Sequence, residues 1–186
     1  MKRAFFVILI GVVMASCNNN RSAASQQSED DSPTGMVEEI INTGPLKDII
    51  STYLQIKNYL ASDNPSGAAE AGNGLATVFK NFDKSSLTAD QKQSFADVEA
   101  DAIENSEHIG ESAGDIAHQR EHFELLSNDV YELVKTFGGG QDLYRDFCPM
   151  YKNGKGAFWL SETKEIHNPY YGKDMPTCGV IKEELK

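Results

Sequence analysis

"DIAHQREHFELLSNDVYELVKTFGGG", residues 115–140, decides how the chain is read. Ile116, Phe123, Leu126, Val130, Leu133 and Phe137 follow one another at spacings of three, four and seven. At 100° per residue they form a single apolar stripe, so a helix is predicted from about Asp115 to Phe137. Gly138, Gly139 and Gly140 make a glycine-rich C-terminal stop.

Three similar stretches precede it. Pro45 suits the first turn of a helix running to about Ala61, with Leu46, Ile49, Ile50, Tyr53, Ile56 and Leu60 on one face. Asn64-Pro65, a cap followed by proline at the first helical position, opens a second that carries Ala68, Ala71, Leu75, Val78, Phe79 and Phe82. Gly72 and Gly74 lower its intrinsic helicity, so packing must hold it. The third opens at "LTADQ", where Thr88 and Gln91 have the spacing of a capping box. Phe95, Val98, Ala102 and Ile109 line its face until the Gly110–Gly114 region. Short joints between helices of this length favour antiparallel neighbours. The expected fold is therefore all-α: a four-helix up-down bundle, with no internal repeat and no β-hairpin before Gly140.

The segment after Gly140 differs in kind. Residues 147–179, "FCPMYKNGKGAFWLSETKEIHNPYYGKDMPTCG", hold two of the three cysteines, two methionines and the single tryptophan. An irregular Cys/Met-containing C-terminal cap over residues 140–186 is expected there. Cys148-Pro149-Met150 and Met175-Pro176-Thr177-Cys178 each join a thiol and a thioether to a proline, which limits how each pair can point. Asn168-Pro169 and Gly172 supply turn chemistry that can fold the halves together. Thiolate and thioether are soft ligands and select Cu(I) over zinc or magnesium. A Cys148–Cys178 disulfide accounts for the same residues. An exported chain meets an oxidising compartment, and closing this loop contributes roughly 3–4 kcal/mol through the unfolded state. On the residues alone both readings stay open.

Export is written into the first residues. Lys2 and Arg3, the apolar run from Ala4 to Ala15 and the small residues before Cys17 read as a secretory signal over residues 1–16. The run is shorter than the roughly 20 residues of a membrane-spanning helix. Ala15-Ser16-Cys17 resembles a bacterial lipobox, which makes Cys17 the expected lipidation site. Residues 17–35, including "NNNRSAASQQSEDDSPTG", have no large apolar residue and are expected to be a disordered tether. Such a tether reaches on the order of 20 Å. The folded domain is then 36–186, held at the membrane by lipid in the cell envelope and facing the periplasm. The formal charge of −11 argues against nucleic-acid binding, which relies on Lys and Arg to neutralise phosphates. It becomes more negative once Lys2 and Arg3 leave with the signal.

On the fourth helix, His118 and His122 stand at i and i+4 near the apolar stripe, a spacing that can hold one metal ion. Gln119 occupies the place where a zinc protease needs its glutamate. "DIAH" resembles one arm of a di-iron site, but no second arm exists. His108, one turn after Glu104, reads as a surface pair. No phosphate-binding glycine loop or Cys-x-x-Cys is present, and nothing designates a base for a Cys148 nucleophile. The chain is read as non-enzymatic.

"FCPM", "GAFWLS", "IHNPYYG" and "M-x-x-CG" occur in that order after "QREHFELLS". With these motifs the chain, from about Pro45 to Glu184, resembles a bacterial domain of unknown function. That domain also occurs fused to the C-terminus of membrane-fusion subunits of copper and heavy-metal efflux pumps. The resemblance implies a helical periplasmic domain linked to copper handling, with efflux components as partners. It carries ligand positions onto Cys148, Met150, Met175 and Cys178, and onto His118 and His122 as additions. It tips the expected function toward Cu(I), or a related soft metal, bound for resistance or delivery to efflux. The alternative is a non-catalytic interaction module with a disulfide-stapled tail. No fusion-protein hairpin or barrel is present, so the chain is not itself a pump adaptor.

Overall fold

The computed structural model describes residues 44–186. The signal over 1–16, Cys17, the tether over 17–35 and the start of the folded domain lie outside the described residues. Four long helices run in chain order: α1 (Lys47–Ala61), α2 (Pro65–Lys80), α3 (Ala89–Glu111) and α4 (Ile116–Phe137). Each packs on the next, and α1 also meets α4.

The predicted apolar faces supply the core. Leu46, Ile49, Tyr53, Ile56 and Leu60 of α1 and its approach are wholly buried, as are Leu75 and Phe79 of α2, Phe95 and Ile109 of α3, and Phe123, Leu126, Val130 and Leu133 of α4. Helix starts follow local chemistry. Asn64 accepts from the Gly67 amide at 3.0 Å, and Asp115 accepts from the His118 amide at 3.1 Å. Thr88 and Gln91 close the capping box in both directions. The α2–α3 contact depends on Gly72, where a Cβ would stand 2.8 Å from the Ser106 carbonyl oxygen and 2.9 Å from the Gly110 nitrogen. Glycine there lets two backbones approach closely.

The C-terminal cap corrects the expectation of an irregular segment. It is a three-stranded antiparallel sheet of β1 (Leu143–Cys148), β2 (Ala157–Ser161) and β3 (Val180–Leu185), with β1 central in the order β2-β1-β3. The turn from β1 to β2 runs through left-handed backbone at Lys152, Asn153 and Gly154. Against β3 the register shifts between Arg145 and Asp146. The fold is thus mostly helical, with a small sheet that packs on α4 and α1 through β2.

One polar chain fixes that docking. The Tyr53 hydroxyl of α1 accepts from the Leu160 amide of β2 at 3.0 Å and shares a 2.8 Å bond with Ser127 of α4. Ser127 in turn donates to the Phe123 carbonyl at 2.7 Å. Nearby, the buried Lys57 ammonium meets Glu162 at 2.7 Å, and Asn58 donates to the other oxygen of that carboxylate at 2.9 Å. Together they lock the end of β2 to α1.

Candidate functional site

The two halves of the sulfur motif meet. β1 ends at the buried Cys148, and its Sγ lies 3.3 Å from Sγ of the half-buried Cys178; both cysteines are free thiols. At metal–thiolate bonds of about 2.3 Å, two sulfurs on one tetrahedral ion stand roughly 3.8 Å apart, so only a small opening separates this contact from a ligating pair. Burial, followed by the Cys148 hydrogen bond and charge, pushes the Cys178 thiol above its ordinary pKa, while the Met150 backbone opposes this. An elevated thiol pKa is the reverse of what a thiolate nucleophile requires.

The "IHNPYYG" motif builds this meeting point. Asn168 is fully buried. Its amide donates to the Cys178 carbonyl at 2.6 Å, and its Oδ1 accepts from the Tyr170 and Tyr171 amides at 2.8 and 3.1 Å. Its own backbone N–H donates to the Pro176 carbonyl at 2.9 Å. Tyr171 donates to the Met150 carbonyl at 2.9 Å, which ties the first sulfur turn to the second. Tyr170 donates to the Phe158 carbonyl, stacks on Tyr151 and meets the Trp159 ring edge-on. The methionines stay at the surface, Met150 at 53 % and Met175 at 39 % exposure. The thiols are held from within and the thioethers lie at the surface.

The predicted histidines are elsewhere. His118 and His122 of α4 stand with His108 of α3, and one ligand nitrogen of each lies within 4.8 Å of the others. The His122 ring is stacked on His108 at 4.3 Å, and His118 meets His122 nearly edge-on at 4.5 Å. Among the described residues no imidazole or carboxylate joins the two thiols in a comparable group. The ligand set expected for one centre is therefore split, with sulfur in the cap and imidazole between α3 and α4. His108 does pair with Glu104, at 3.8 Å, but its place against His122 was not legible. Periodicity orients residues within a helix and says nothing of the register between two helices.

The surroundings of the imidazoles are polar and acidic. The buried Asn105 presents Oδ1 to His122 Nδ1 at 2.9 Å. Glu121 lies 3.7 Å from His118. A cleft of about 310 Å³ beside them is lined by Asp101, Glu104, Asn105, His122, Asn128 and Asp129, with Leu125 at its edge. Burial, then the charges of His108 and His118, holds His122 below the usual histidine range. Asp129 is pushed up to about 6 by burial and by Asp101, against a hydrogen bond from Asn105.

Four packed helices, a small antiparallel sheet that closes on a thiol pair, and a separate imidazole cluster define a compact helical domain with two groups of candidate ligands. The chain belongs to a family described as "Protein of unknown function (DUF3347)", whose model matches residues 49–142. The match spans α1 to α4 with the three histidines and ends just before β1. No curated protein and no solved structure matches the chain.

Proposed function

We propose that this protein is a non-enzymatic envelope lipoprotein, an up-and-down helical bundle anchored through Cys17, that binds Cu(I) or a related soft metal for resistance or delivery to efflux. The observation that carries this reading is the 3.3 Å contact of Cys148 and Cys178, with Met150 and Met175 exposed in the same two turns. Two thiolates and two surface thioethers form a donor set suited to a soft monovalent ion. The metal here is cargo, and it displaces the thiol protons on binding.

The same contact supports a second reading, a disulfide staple, since the thiols touch and an exported chain meets oxidant. The two states exclude each other, because a disulfide offers no thiolate. Oxidation then closes the site and reduction opens it.

The test is an anaerobic Cu(I) titration of the reduced full chain against a colorimetric chelator. One tightly held equivalent, lost in Cys178→Ser, supports the proposal. Absence of stoichiometric binding by the reduced parent ends it and leaves the staple.

A further inference from the structure

We propose that His108, His118 and His122 form a second metal site, independent of the thiol pair, that takes one divalent late transition-metal ion. Imidazole suits zinc and divalent copper or nickel, whereas the sulfurs of the cap suit a soft monovalent ion, so the two sites differ in cargo class.

The geometry is close to what such an ion needs. On a tetrahedral ion with bonds of about 2.0–2.1 Å, ligand nitrogens stand roughly 3.3 Å apart. Here they lie within 4.8 Å of one another. The His108 and His118 side chains are about two-fifths exposed, at 41 % and 40 %, so both can turn the stacked arrangement inward without disturbing the core. His122 is the fixed member. Its Nδ1 faces the Asn105 carbonyl oxygen, which can only accept, so the ring carries its proton there and leaves Nε2 as a lone pair. An acceptor behind one ring nitrogen that frees the other for metal is the usual support of a ligating histidine.

Charge favours the same reading. Glu104 and Glu121 stand beside His108 and His118, and the adjoining cleft carries Asp101 and Asp129. This acidic approach raises the local concentration of cations. The three rings gain little by meeting for packing alone, since two of them are substantially exposed. All three side chains project from long helices near the α3–α4 joint, so an ion held there pins that joint.

Zn²⁺ is the probe, titrated calorimetrically into the full chain carrying C17S and C178S, which removes the thiol pair and leaves the helices intact. The expected result is one bound equivalent and a rise in melting temperature. Affinity should fall at least tenfold in His108→Ala and in His122→Ala. Asn105→Ala, which touches no metal, should lose about 10- to 100-fold, the usual effect of removing a ligand's supporting partner. Far-ultraviolet circular dichroism shows whether each variant keeps its helices. No stoichiometric Zn²⁺ binding by the C17S/C178S chain, or binding unchanged by folded His108→Ala, overturns the proposal. Loss of Cu(I) binding at the thiols leaves this result untouched, so the two sites stand or fall separately.

Discussion

Asn168, wholly buried, donates its side-chain amide to the carbonyl of Cys178 at 2.6 Å, and that bond places the second thiol against the first. The same side chain accepts from the amides of Tyr170 and Tyr171. An asparagine before proline thus acts as the internal scaffold of the cap. Asn168→Ala strands a buried carbonyl and two amides, and each such group costs about 1–3 kcal/mol. The expected loss is roughly 3 kcal/mol in urea unfolding, with faster reaction of Cys178 toward a thiol reagent in the folded state. Unchanged thiol reactivity separates Asn168 from the positioning of the sulfurs.

Met150→Leu and Met175→Leu should hardly change stability. Both side chains are substantially exposed, and surface substitutions usually stay within about 0.5 kcal/mol. Leucine keeps the apolar volume and removes the thioether. Anaerobic titration should therefore show weaker Cu(I) binding by the double variant with an unaltered unfolding curve. Equal binding by parent and variant removes the thioethers from the site.

Asp146 gives a pH signature. It lies in the middle of β1, wholly buried, and neither carboxylate oxygen has a hydrogen-bond partner among the described residues. Burial pushes its pKa up to about 7, with Glu162 adding to the rise and Lys57 opposing it. The unfolded chain titrates this group near 3.9. Because the folded value is the higher one, Asp146 contributes most below about pH 4, and the contribution is lost as pH rises to about 7. Asp146→Asn cannot ionise. Relative to this variant, the parent should lose on the order of 3–4 kcal/mol between those pH values. Urea unfolding of both proteins across that range measures the difference. A parent-minus-variant curve that stays flat places the Asp146 carboxyl near its ordinary pKa.

The helices were legible in the sequence because their chemistry is local. The Thr88 capping box, Pro65 after Asn64 and the stripe from Phe123 to Leu133 each decide an element from its own residues. The sheet was not legible, for three separate reasons. β2, "AFWLS", is buried on nearly every residue and so lacks an alternating pattern. β3, "VIKEEL", is an exposed strand whose Lys-Glu-Glu run has the composition of a helix surface. β1 places Asp146 in the core, where a strand pattern calls for an apolar residue. The sulfur contact was readable because proline and turn residues frame it. The partnership of His108 with His122 belongs to the fit between two helices, which no single-helix pattern encodes.

Gly72 and Gly74 should respond to alanine with opposite signs, although they sit on the same helix two residues apart. In an exposed helix either change is favourable by about 1 kcal/mol on propensity alone. At Gly74 the nearest outside atom to a new Cβ is Thr52 Cγ2 at 3.7 Å, an ordinary contact, so Gly74→Ala should stabilise by roughly 0.5–1 kcal/mol. At Gly72 the new methyl group meets the Ser106 oxygen at 2.8 Å, the Gly110 nitrogen at 2.9 Å and Ile109 Cγ2 at 2.9 Å. Two of these are backbone atoms, so α2 and α3 must move apart. Overpacking of this kind costs typically 1–3 kcal/mol, which exceeds the propensity gain, and Gly72→Ala should be destabilising. It should also disturb the neighbouring turn of α3 that carries His108. Paired urea unfolding curves measure both signs, and stabilisation by both substitutions contradicts the close α2–α3 approach at Gly72.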